Sequence, residues 1–413
     1  MKVMVIGSGG REHAICWKLK QSNCDIYCAP GNGGISQIAD LVPIKPDNIP
    51  EMLEYAQKEK IDLTIVGPEV PLGLGIVDEF IKNNLQIFGP NKNAARLETS
   101  KAFARDFCQK YNLPSPAYEK FTDSKKAKDY LSAKSFPIVI KADGLAAGKG
   151  AIIVHNKQEA HITIERILDK KEFGQSGNTI VIEDFLTGQE VSMLVLCDGN
   201  TIMPIIPARD HKPIFDGNQG PNTGGMGSYA PIPDLGNDFT SNIQTKLFDP
   251  MLRALKKENI EYKGVLYAGL MISGNDFNIV EFNCRWGDPE AEVLIPLLKT
   301  DMVSLCLDTI EGKLKQLEWQ NKYALTVIAA SDGYPQKYET NKLITGDLSD
   351  TEDTIIFHCG TKKENNNFYT TGGRVLSITG LGNSLVQARA RSYKKIKQIQ
   401  FDNIYYRTDI GNR

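Results

Sequence analysis

The sequence predicts a multidomain protein that joins an α/β unit to α+β units, and three observations lead to this prediction. In the first hundred residues, short apolar strand patterns alternate with amphipathic helix patterns, which is typical of a doubly wound parallel sheet. From residue 99 onward, long apolar strands with few crossovers replace this alternation, as expected for an antiparallel region. The chain has 413 residues, and a length of that order corresponds to about three domains.

The composition argues against several classes of protein. Hydrophobic residues make up 41% of the chain and charged residues 24%, which is close to the average for globular proteins and unlike disordered chains. Lys and Arg number 48 against 50 Asp and Glu, so the basic excess that nucleic-acid binding requires is missing. No apolar stretch approaches the ~20 residues of a membrane helix. The eight cysteines have no metal-binding spacing and no secretory signal precedes them, so we expect reduced thiols and a cytoplasmic protein.

The first glycine-rich loop, residues 7–13 (GSGGREH), lies between a predicted strand and a predicted helix. Such a loop presents backbone N–H groups to an anion. A dinucleotide fingerprint would need a third glycine where Glu12 stands and an acid after the second strand, where the chain has APGN. The alternatives are a sugar-phosphate site with Arg11 as an additional cation, or a tight turn that only packs the helix.

Two further loops follow strands of the same predicted sheet, PGN at 30–32 and GPE at 67–69. Ligands of doubly wound sheets lie outside the carboxyl ends of the strands. Glu69 could accept hydrogen bonds from ribose hydroxyls there. Each loop alone is ordinary turn chemistry, but the three together favour a sugar-phosphate pocket.

The glycine-rich segment 141–150 (KADGLAAGKG) is the strongest local signal. A P-loop would continue with Ser or Thr and a helix, whereas here Gly150 and a strand pattern follow. We therefore predict a flap between two strands, in which Lys149 reaches phosphate oxygens and Lys141 provides a second cation. The alternative is a loose hairpin with surface lysines.

Two strand ends carry further polar groups. The segment 180–186 (IVIEDFL) offers main-chain donors and acceptors to a purine, and Glu190 could bind ribose, although these acids could also be solvated. In VEFNCRWGDPE, residues 280–290, Glu281 and Asn283 point to one face and Phe282 to the core. A carboxylate beside an amide oxygen suits Mg²⁺, and Arg285 can grip an anionic oxygen. The long segment 210–228 has no periodicity and is predicted to be a functional or disordered loop.

These motifs together resemble the glycinamide ribonucleotide synthetase family of the ATP-grasp superfamily. The resemblance covers the whole chain. It runs from GSGGREH through GPE, SKAF (100–103), the flap and GPNTGGMG (220–227) to the segment 280–290, which we call the metal strand, and to TGGRV (371–375). Trp286 stands where the family usually has Phe, and Arg209 where it often has Gln. The resemblance implies an ATP-grasp domain at 99–318, with a lid at about 117–188, between an α/β domain at 1–98 and a small mixed α+β domain at 319–413.

The resemblance also implies a reaction. ATP, glycine and 5-phosphoribosylamine would give glycinamide ribonucleotide, ADP and phosphate in purine biosynthesis, with Mg²⁺ or Mn²⁺, through an acyl phosphate of glycine. A substrate carboxylate is then the nucleophile, so catalysis consists of positioning and charge neutralisation. We expect small-molecule partners, no nucleic acid or membrane, and a monomer.

The family's roles fall on matching positions of this sequence. Lys101, Lys141 and Lys149 would contact ATP, Glu183 and Leu186 the adenine, and Glu190 the ribose. Glu281 and Asn283 would bind the metal. Three residues would act in catalysis: Arg285 on the transferring phosphoryl group, Lys149 in the flap and Asp210 on the glycine amine. The residues that would hold phosphoribosylamine are Gly9, Gly10, Arg11, Glu12, Asn32, Glu69, Gly373 and Arg374.

Three rival functions remain open. Another ATP-grasp carboxylate–amine ligase would share the flap and the metal strand, and would differ in the N-terminal loops and at 221–227. A dinucleotide-dependent oxidoreductase is disfavoured by the missing third glycine and the missing acid. A non-catalytic nucleotide-binding module would not need Glu281, Asn283 and Arg285 together.

Overall fold

The N-terminal domain is built on a five-stranded parallel sheet with strand order β3-β2-β1-β4-β5. The computed structural model describes residues 1–146, 150–236 and 238–412. The first strand lies in the middle of the sheet, and Val3, Met4, Val5 and Ile6 are completely buried. Its neighbours on both sides are parallel to it, so the predicted doubly wound α/β fold is confirmed. The loops that follow β1, β2 and β4 therefore meet at one edge.

The elements of this domain alternate along the chain as predicted. The strands are β1 Lys2–Gly7, β2 Asp25–Pro30, β3 Asp40–Leu41, β4 Leu63–Val66 and β5 Ile87–Phe88. The helices are α1 Gly10–Leu19, α2 Ile49–Glu59, α3 Glu69–Leu74, α4 Ile76–Lys82 and α5 Lys92–Thr99.

The segment predicted to be a lid forms a four-stranded antiparallel sheet with order β6-β9-β7-β8. Helix α6 leads into it, and two helices cover it. Apolar side chains from both strands and helices, such as Ile140 and Ile164, form its separate core. The elements are α6 Lys101–Lys110, β6 Tyr118–Phe121, α7 Ser124–Tyr130, β7 Ile138–Ala142, β8 Ala151–Val154, α8 Lys157–Ile164 and β9 Ile180–Asp184.

A second antiparallel sheet, which we call the floor, has the order β11-β10-β16-β17. Its two central strands, β10 and β16, are long, and most of their side chains are buried on both faces. This sheet and the segments that connect its strands contain the elements β10 Gln189–Asp198, β11 Ile202–Pro204, β12 Arg209–Asp210, β13 Pro213–Phe215, β14 Gln219–Asn222, β15 Gly227–Ala230, α9 Phe239–Ile243, α10 Asp249–Lys257, β16 Lys263–Ser273 and β17 Asp276–Asn283. Two helices follow, α11 Ala291–Leu297 and α12 Met302–Ile310.

The prediction that 210–228 is a loop without elements is wrong. Strands β13 and β14 form a hairpin there, and β12 and β15 pair with each other. β14 (QGPN) is exposed along its whole length, so it lacks the alternation of buried and exposed residues that marks a strand. Its order therefore comes from main-chain pairing and from contacts with distant segments.

The C-terminal domain shares a sheet with the central region, in the order β12-β15-β18-β23-β20, with β25 also beside β18. A smaller sheet has the order β21-β22-β19-β24. The elements are β18 Tyr323–Ser331, β19 Leu343–Gly346, β20 Thr354–His358, β21 Thr361–Glu364, β22 Asn367–Thr370, β23 Arg374–Gly382, α13 Leu385–Ile396, β24 Ile399–Gln400 and β25 Ile404–Tyr405. Among the described residues, no helix is both long and apolar enough to cross a membrane.

Candidate active site

A cavity of about 570 Å³ is lined by residues from all three predicted domains. Lid strands, floor strands and the N-terminal loops contribute side chains, and Arg374 enters from the C-terminal domain. We call it the main cavity. The residues predicted from the sequence that line it are Arg11, Glu69, Lys101, Lys141, Glu183, Leu186, Glu190, Asp210, Glu281, Asn283, Arg285 and Arg374.

One end of the main cavity is apolar. Val139, Ile153, Phe185, Leu186 and Met271 line it. Ile153 is 42% exposed and Phe185 37% exposed, although large apolar side chains are normally covered. Apolar walls with a few polar groups are typical of small-molecule sites, so this end suits the flat face of a purine.

Glu183 forms a buried ion-pair network instead of pointing freely into the cavity. Arg105 donates to both of its carboxylate oxygens, at 2.7 and 2.8 Å, and the Lys141 Nζ lies 2.8 Å away. Burial raises the pKa of Glu183, but Lys141 and Arg105 outweigh burial and leave it lowered. The side chain therefore fixes Lys141, and a contact between residue 183 and adenine would have to use the main chain. Arg105 was not predicted from the sequence.

The first part of the predicted flap is anchored to the start of helix α6 through Asp143. The Asp143 carboxylate accepts hydrogen bonds from the Ser100 hydroxyl at 2.9 Å and from the Ala102 N–H at 3.0 Å. Lys101, which lies between these two residues in the chain, also lines the main cavity. Gly144 has a φ of +145°, and a Cβ there would overlap Ser176, so a larger residue would displace the flap. Lys149, predicted to close over phosphate, lies outside the described residues.

Lys212 bridges the predicted ribose and metal carboxylates. Its Nζ is hydrogen-bonded to Glu190 and lies 3.3 Å from Oε1 of Glu281. Burial lowers the pKa of Lys212, but the two carboxylates outweigh it and raise the pKa well above its usual value. Sequence reasoning assigned Lys212 no role, because nothing near it in the chain indicates that two distant acids surround it.

The predicted metal ligands share one face of β17. Phe282 between them is 1% exposed, so the prediction that it faces the core is confirmed. Burial raises the pKa of Glu281, but Lys212 and two further lysines hold it far below its usual range, so the group is an anion. Among the described residues no cluster of three or more His, Cys, Asp or Glu is placed to bind a metal. The Glu281–Asn283 oxygens fit a hard cation that takes its other ligands from phosphate and water.

Arg285 is held by two acids of the N-terminal region. Its Nε lies 3.3 Å from Glu69 and its Nη2 lies 3.1 Å from Glu98. Burial lowers the pKa of Arg285, but Glu98 and Glu69 raise it above its ordinary value. The guanidinium group therefore stays charged and is fixed at the cavity wall, where it can face an anion.

Asp210 lies beside a second buried acid, Glu290. The His211 N–H donates to Asp210 at 2.7 Å, and the Ser192 hydroxyl donates to Glu290 at 2.7 Å. Burial and the charge of Glu290 raise the pKa of Asp210 well above its usual value. Both side chains line the main cavity, so this corner can accept hydrogen bonds from an ammonium group.

A second cavity of about 360 Å³ lies at the N-terminus of α1. We call it the side cavity. Ser8, Gly9, Asn32, Thr361 and Thr371 are among the residues that line it. Hydroxyls and main-chain N–H groups at a helix N-terminus suit a phosphate. The threonines come from the C-terminal domain, and no motif in the sequence connects them with the N-terminal loops.

The Asn32 side chain forms hydrogen bonds with several segments that surround the side cavity. Its Nδ2 donates to Ser8 O and His358 O, at 2.9 and 2.7 Å. Its Oδ1 accepts from the N–H groups of Gly34 and Ile35, at 2.9 and 3.0 Å. Asn32 therefore joins the first loop to the C-terminal domain, and its substrate contact remains a prediction.

Three predicted substrate residues lie behind the cavity walls. Gly10, Glu12 and Gly373 are not among the residues that line either cavity. A Cβ at Gly10 would overlap Glu292, and one at Gly373 would overlap the Tyr334 ring. The Glu12 carboxylate accepts from the Gly9 N–H and from Arg11, both at 2.6 Å. These three residues therefore lie outside the described lining of both cavities, and their contacts with substrate stay predictions.

Asp288, Tyr334 and Arg374 line both cavities and form their common boundary. Arg374 Nη2 lies 2.9 Å from Asp288, and Nη1 donates to Gly224 O at 2.8 Å. A substrate in the side cavity would therefore reach toward the main cavity past this ion pair.

Comparison with known proteins identifies the family to which the chain belongs. Family models for phosphoribosylglycinamide synthetase match the chain as its N domain at residues 1–98, its ATP-grasp (A) domain at 99–291 and its C domain at 324–413. A phosphoribosylamine–glycine ligase of Caldanaerobacter subterraneus subsp. tengcongensis is 46% identical over 415 residues, which cover 100% of this chain and 99% of the relative. The chain belongs to the phosphoribosylamine–glycine ligase family. The family resemblance and the carbon–nitrogen ligase predicted from the sequence are thereby confirmed.

Further relatives support the assignment to this ligase family. The phosphoribosylamine–glycine ligase of Escherichia coli O157:H7 is 45% identical, covering 100% of this chain and 98% of the relative. The crystal structure of the Thermotoga maritima phosphoribosylamine–glycine ligase has a TM-score of 0.88 at 33% identity, covering 99% of this chain and all of that one. A biotin carboxylase domain from Hydrogenobacter thermophilus, solved with MgADP, has a TM-score of 0.78 at 15% identity and covers 98% of this chain and 91% of that one. It shows the shared fold alone.

Proposed function

We propose that the chain uses ATP to join glycine to 5-phosphoribosylamine, giving glycinamide ribonucleotide, ADP and phosphate in purine biosynthesis. The observation that carries the proposal is the pair of adjoining cavities at the junction of the domains. The main cavity has an apolar end, fixed cations and a carboxylate–amide pair. The side cavity has hydroxyls and a helix N-terminus. The first suits a nucleotide and an amino acid, and the second suits a sugar phosphate.

In the first proposed step, a glycine carboxylate oxygen attacks the γ-phosphorus, and the bond from that phosphorus to the bridging oxygen breaks to release ADP. Lys141, fixed by Glu183, and Arg285, fixed by Glu98, are charged donors that need no rearrangement to meet the developing charge. Asp210 accepts from the glycine ammonium group. A divalent ion held by Glu281 and Asn283 would neutralise phosphate charge.

In the second proposed step, the sugar amine attacks the carbonyl carbon of glycyl phosphate, and the bond from that carbon to the phosphate oxygen breaks. The electron pair of that bond leaves with phosphate, which also takes up the proton that the amine loses. The sugar phosphate would lie in the side cavity, with its amine directed past the Asp288–Arg374 pair. Holding both reactants in fixed positions replaces a bimolecular encounter. No nucleophile from the chain is required.

The partners in this proposal are small molecules. We further propose that the protein is a cytoplasmic monomer without a nucleic-acid partner, and that its divalent ion is Mg²⁺ or Mn²⁺.

Continued release of ADP over many turnovers is expected to require glycine and phosphoribosylamine together, because the activated acid formed in the first round is consumed only by the amine. The measurement is a coupled assay of ADP with each substrate omitted in turn, and with alanine in place of glycine. Full ADP release without one of the two substrates, or equal turnover with alanine, would indicate a different ligase.

A further inference from the structure

The hairpin of β13 and β14 enters the main cavity at its base. Lys212 precedes β13 and Thr223 follows β14. The Thr223 N–H and hydroxyl both donate to Lys212 O, at 2.9 and 2.7 Å. Thr223 and Lys212 line the main cavity, and the Lys212 ammonium group contacts Glu190 and Glu281. The base of the hairpin is therefore bonded directly to the main chain of the residue that carries this cation.

The hairpin has little core of its own. Ile214 is 3% exposed, but Phe215 is 51% exposed and β14 is exposed throughout. An isolated two-stranded hairpin is marginally stable in water. Contacts with the rest of the chain must therefore hold it in place.

Residues 404–412, which we call the tail, supply those contacts at the far end of the hairpin. The Thr408 N–H donates to Asp216 at 2.9 Å, and the Thr408 hydroxyl bonds to the same carboxylate. The Gly217 N–H donates to Asp409 at 2.8 Å. The Tyr405 hydroxyl donates to Ile214 O at 2.9 Å. The tail thus binds the turn of the hairpin and its β13 side.

Arg407 is the centre of this attachment. It is completely buried, and it donates to Pro213 O at 2.9 Å and to Asn218 at 3.0 Å. Asp409 accepts from its Nε and Nη2, both at 2.7 Å. A buried arginine needs such a partner, because an unpaired charge away from water is costly.

We propose that the tail is a positioning element of the active site, which holds the 213–222 hairpin so that Lys212 stays between Glu190 and Glu281. The tail touches neither cavity: no residue of 404–412 is among those that line them. It therefore acts through Lys212. The kinetic part of this inference rests on the proposed function.

The variants are Asp409→Asn, which weakens the pairing of Arg407, and Asp216→Asn, which weakens the tail's bonds to the turn. The matched control is Asp353→Asn, which breaks the ion pair with Arg391 elsewhere in the C-terminal domain. Hydrogen exchange of the 213–222 amides is expected to accelerate about tenfold in both tail variants, and to stay unchanged in the control. Unchanged exchange in both tail variants would overturn the proposal.

Calorimetric binding of MgADP and steady-state kinetics supply the second readout. Asp409→Asn is expected to bind MgADP about tenfold more weakly and to raise the KM for ATP, while the KM for phosphoribosylamine stays within about twofold. In a Lys212→Met background, Asp409→Asn is expected to add no further loss, because the path through Lys212 is already broken. The proposal would be overturned if the losses of MgADP affinity caused by Asp409→Asn and by Lys212→Met multiply in the double variant. It would also be overturned if Asp409→Asn changes the KM for ATP and the KM for phosphoribosylamine equally. Exchange and calorimetry need no turnover, so they test the tail even if the proposed reaction is wrong.

Discussion

Glu281→Ala is expected to abolish divalent-ion-dependent turnover, with kcat falling by at least about a thousandfold. Glu281 is the single carboxylate of the predicted pair, and its pKa lies far below the usual range because Lys212 and other lysines surround it. A divalent ion on a transferring phosphoryl group contributes several kcal/mol of transition-state stabilisation, and each ~1.4 kcal/mol is tenfold in rate. The measurement is kcat as a function of Mg²⁺ and of Mn²⁺ concentration.

The fold is expected to survive this substitution, because Lys212 keeps Glu190 as a partner. Asp276→Asn, at the exposed start of the same strand, is the control and should keep its rate. Circular dichroism and the thermal midpoint verify folding. A folded Glu281→Ala protein with near-normal rates at saturating Mg²⁺ would remove the metal assignment.

Arg285→Lys is expected to lower kcat by about a hundredfold or more. The guanidinium group contacts Glu69, Glu98 and the Trp286 carbonyl simultaneously, and a lysine ammonium group cannot reproduce this planar arrangement. Loss of one fixed donor to a developing charge costs a factor of ~10²–10³. The measurement is kcat and the KM for ATP in parallel.

Lysine is chosen because it leaves a cation beside buried Glu98, which is 3% exposed, so the variant can fold. We expect the KM for ATP to change by less than about fivefold, since Arg285 acts mainly as the phosphoryl group moves. Arg96→Lys, on helix α5 away from the cavity lining, serves as the control. A rise in KM with unchanged kcat would show instead that Arg285 only binds the ground state.

Local patterns allowed the N-terminal fold and the shared face of Glu281 and Asn283 on β17 to be predicted. The alternation of strand and helix patterns predicts the buried strand β1, and the glycines that end the strand patterns predict the loops after β1, β2 and β4. The shared face of Glu281 and Asn283 follows from strand geometry. In each of these cases, the residues that decide the structure are near neighbours in the chain.

Partners that are distant in the chain could not be predicted. The Arg105–Glu183 pair spans 78 positions, and the bond from Asn32 to His358 spans 326. The hairpin at 213–222 is ordered by a tail almost 200 residues later, so its own residues carry no strand pattern. The sequence predicts a substrate contact for Glu12, but it does not indicate that the Glu12 carboxylate fills the space beneath Gly7 and Gly67. Only the folded chain shows which polar groups neutralise one another.

Transfer of oxygen-18 from the carboxylate of labelled glycine to the released phosphate tests the central claim most directly. The proposed route moves one carboxylate oxygen onto the γ-phosphorus and keeps it there when the amine displaces phosphate. We expect one labelled oxygen in each phosphate released during single-turnover ligation, measured by mass spectrometry. Phosphate that contains only unlabelled oxygen, at the same yield of glycinamide ribonucleotide, would contradict the acyl-phosphate mechanism.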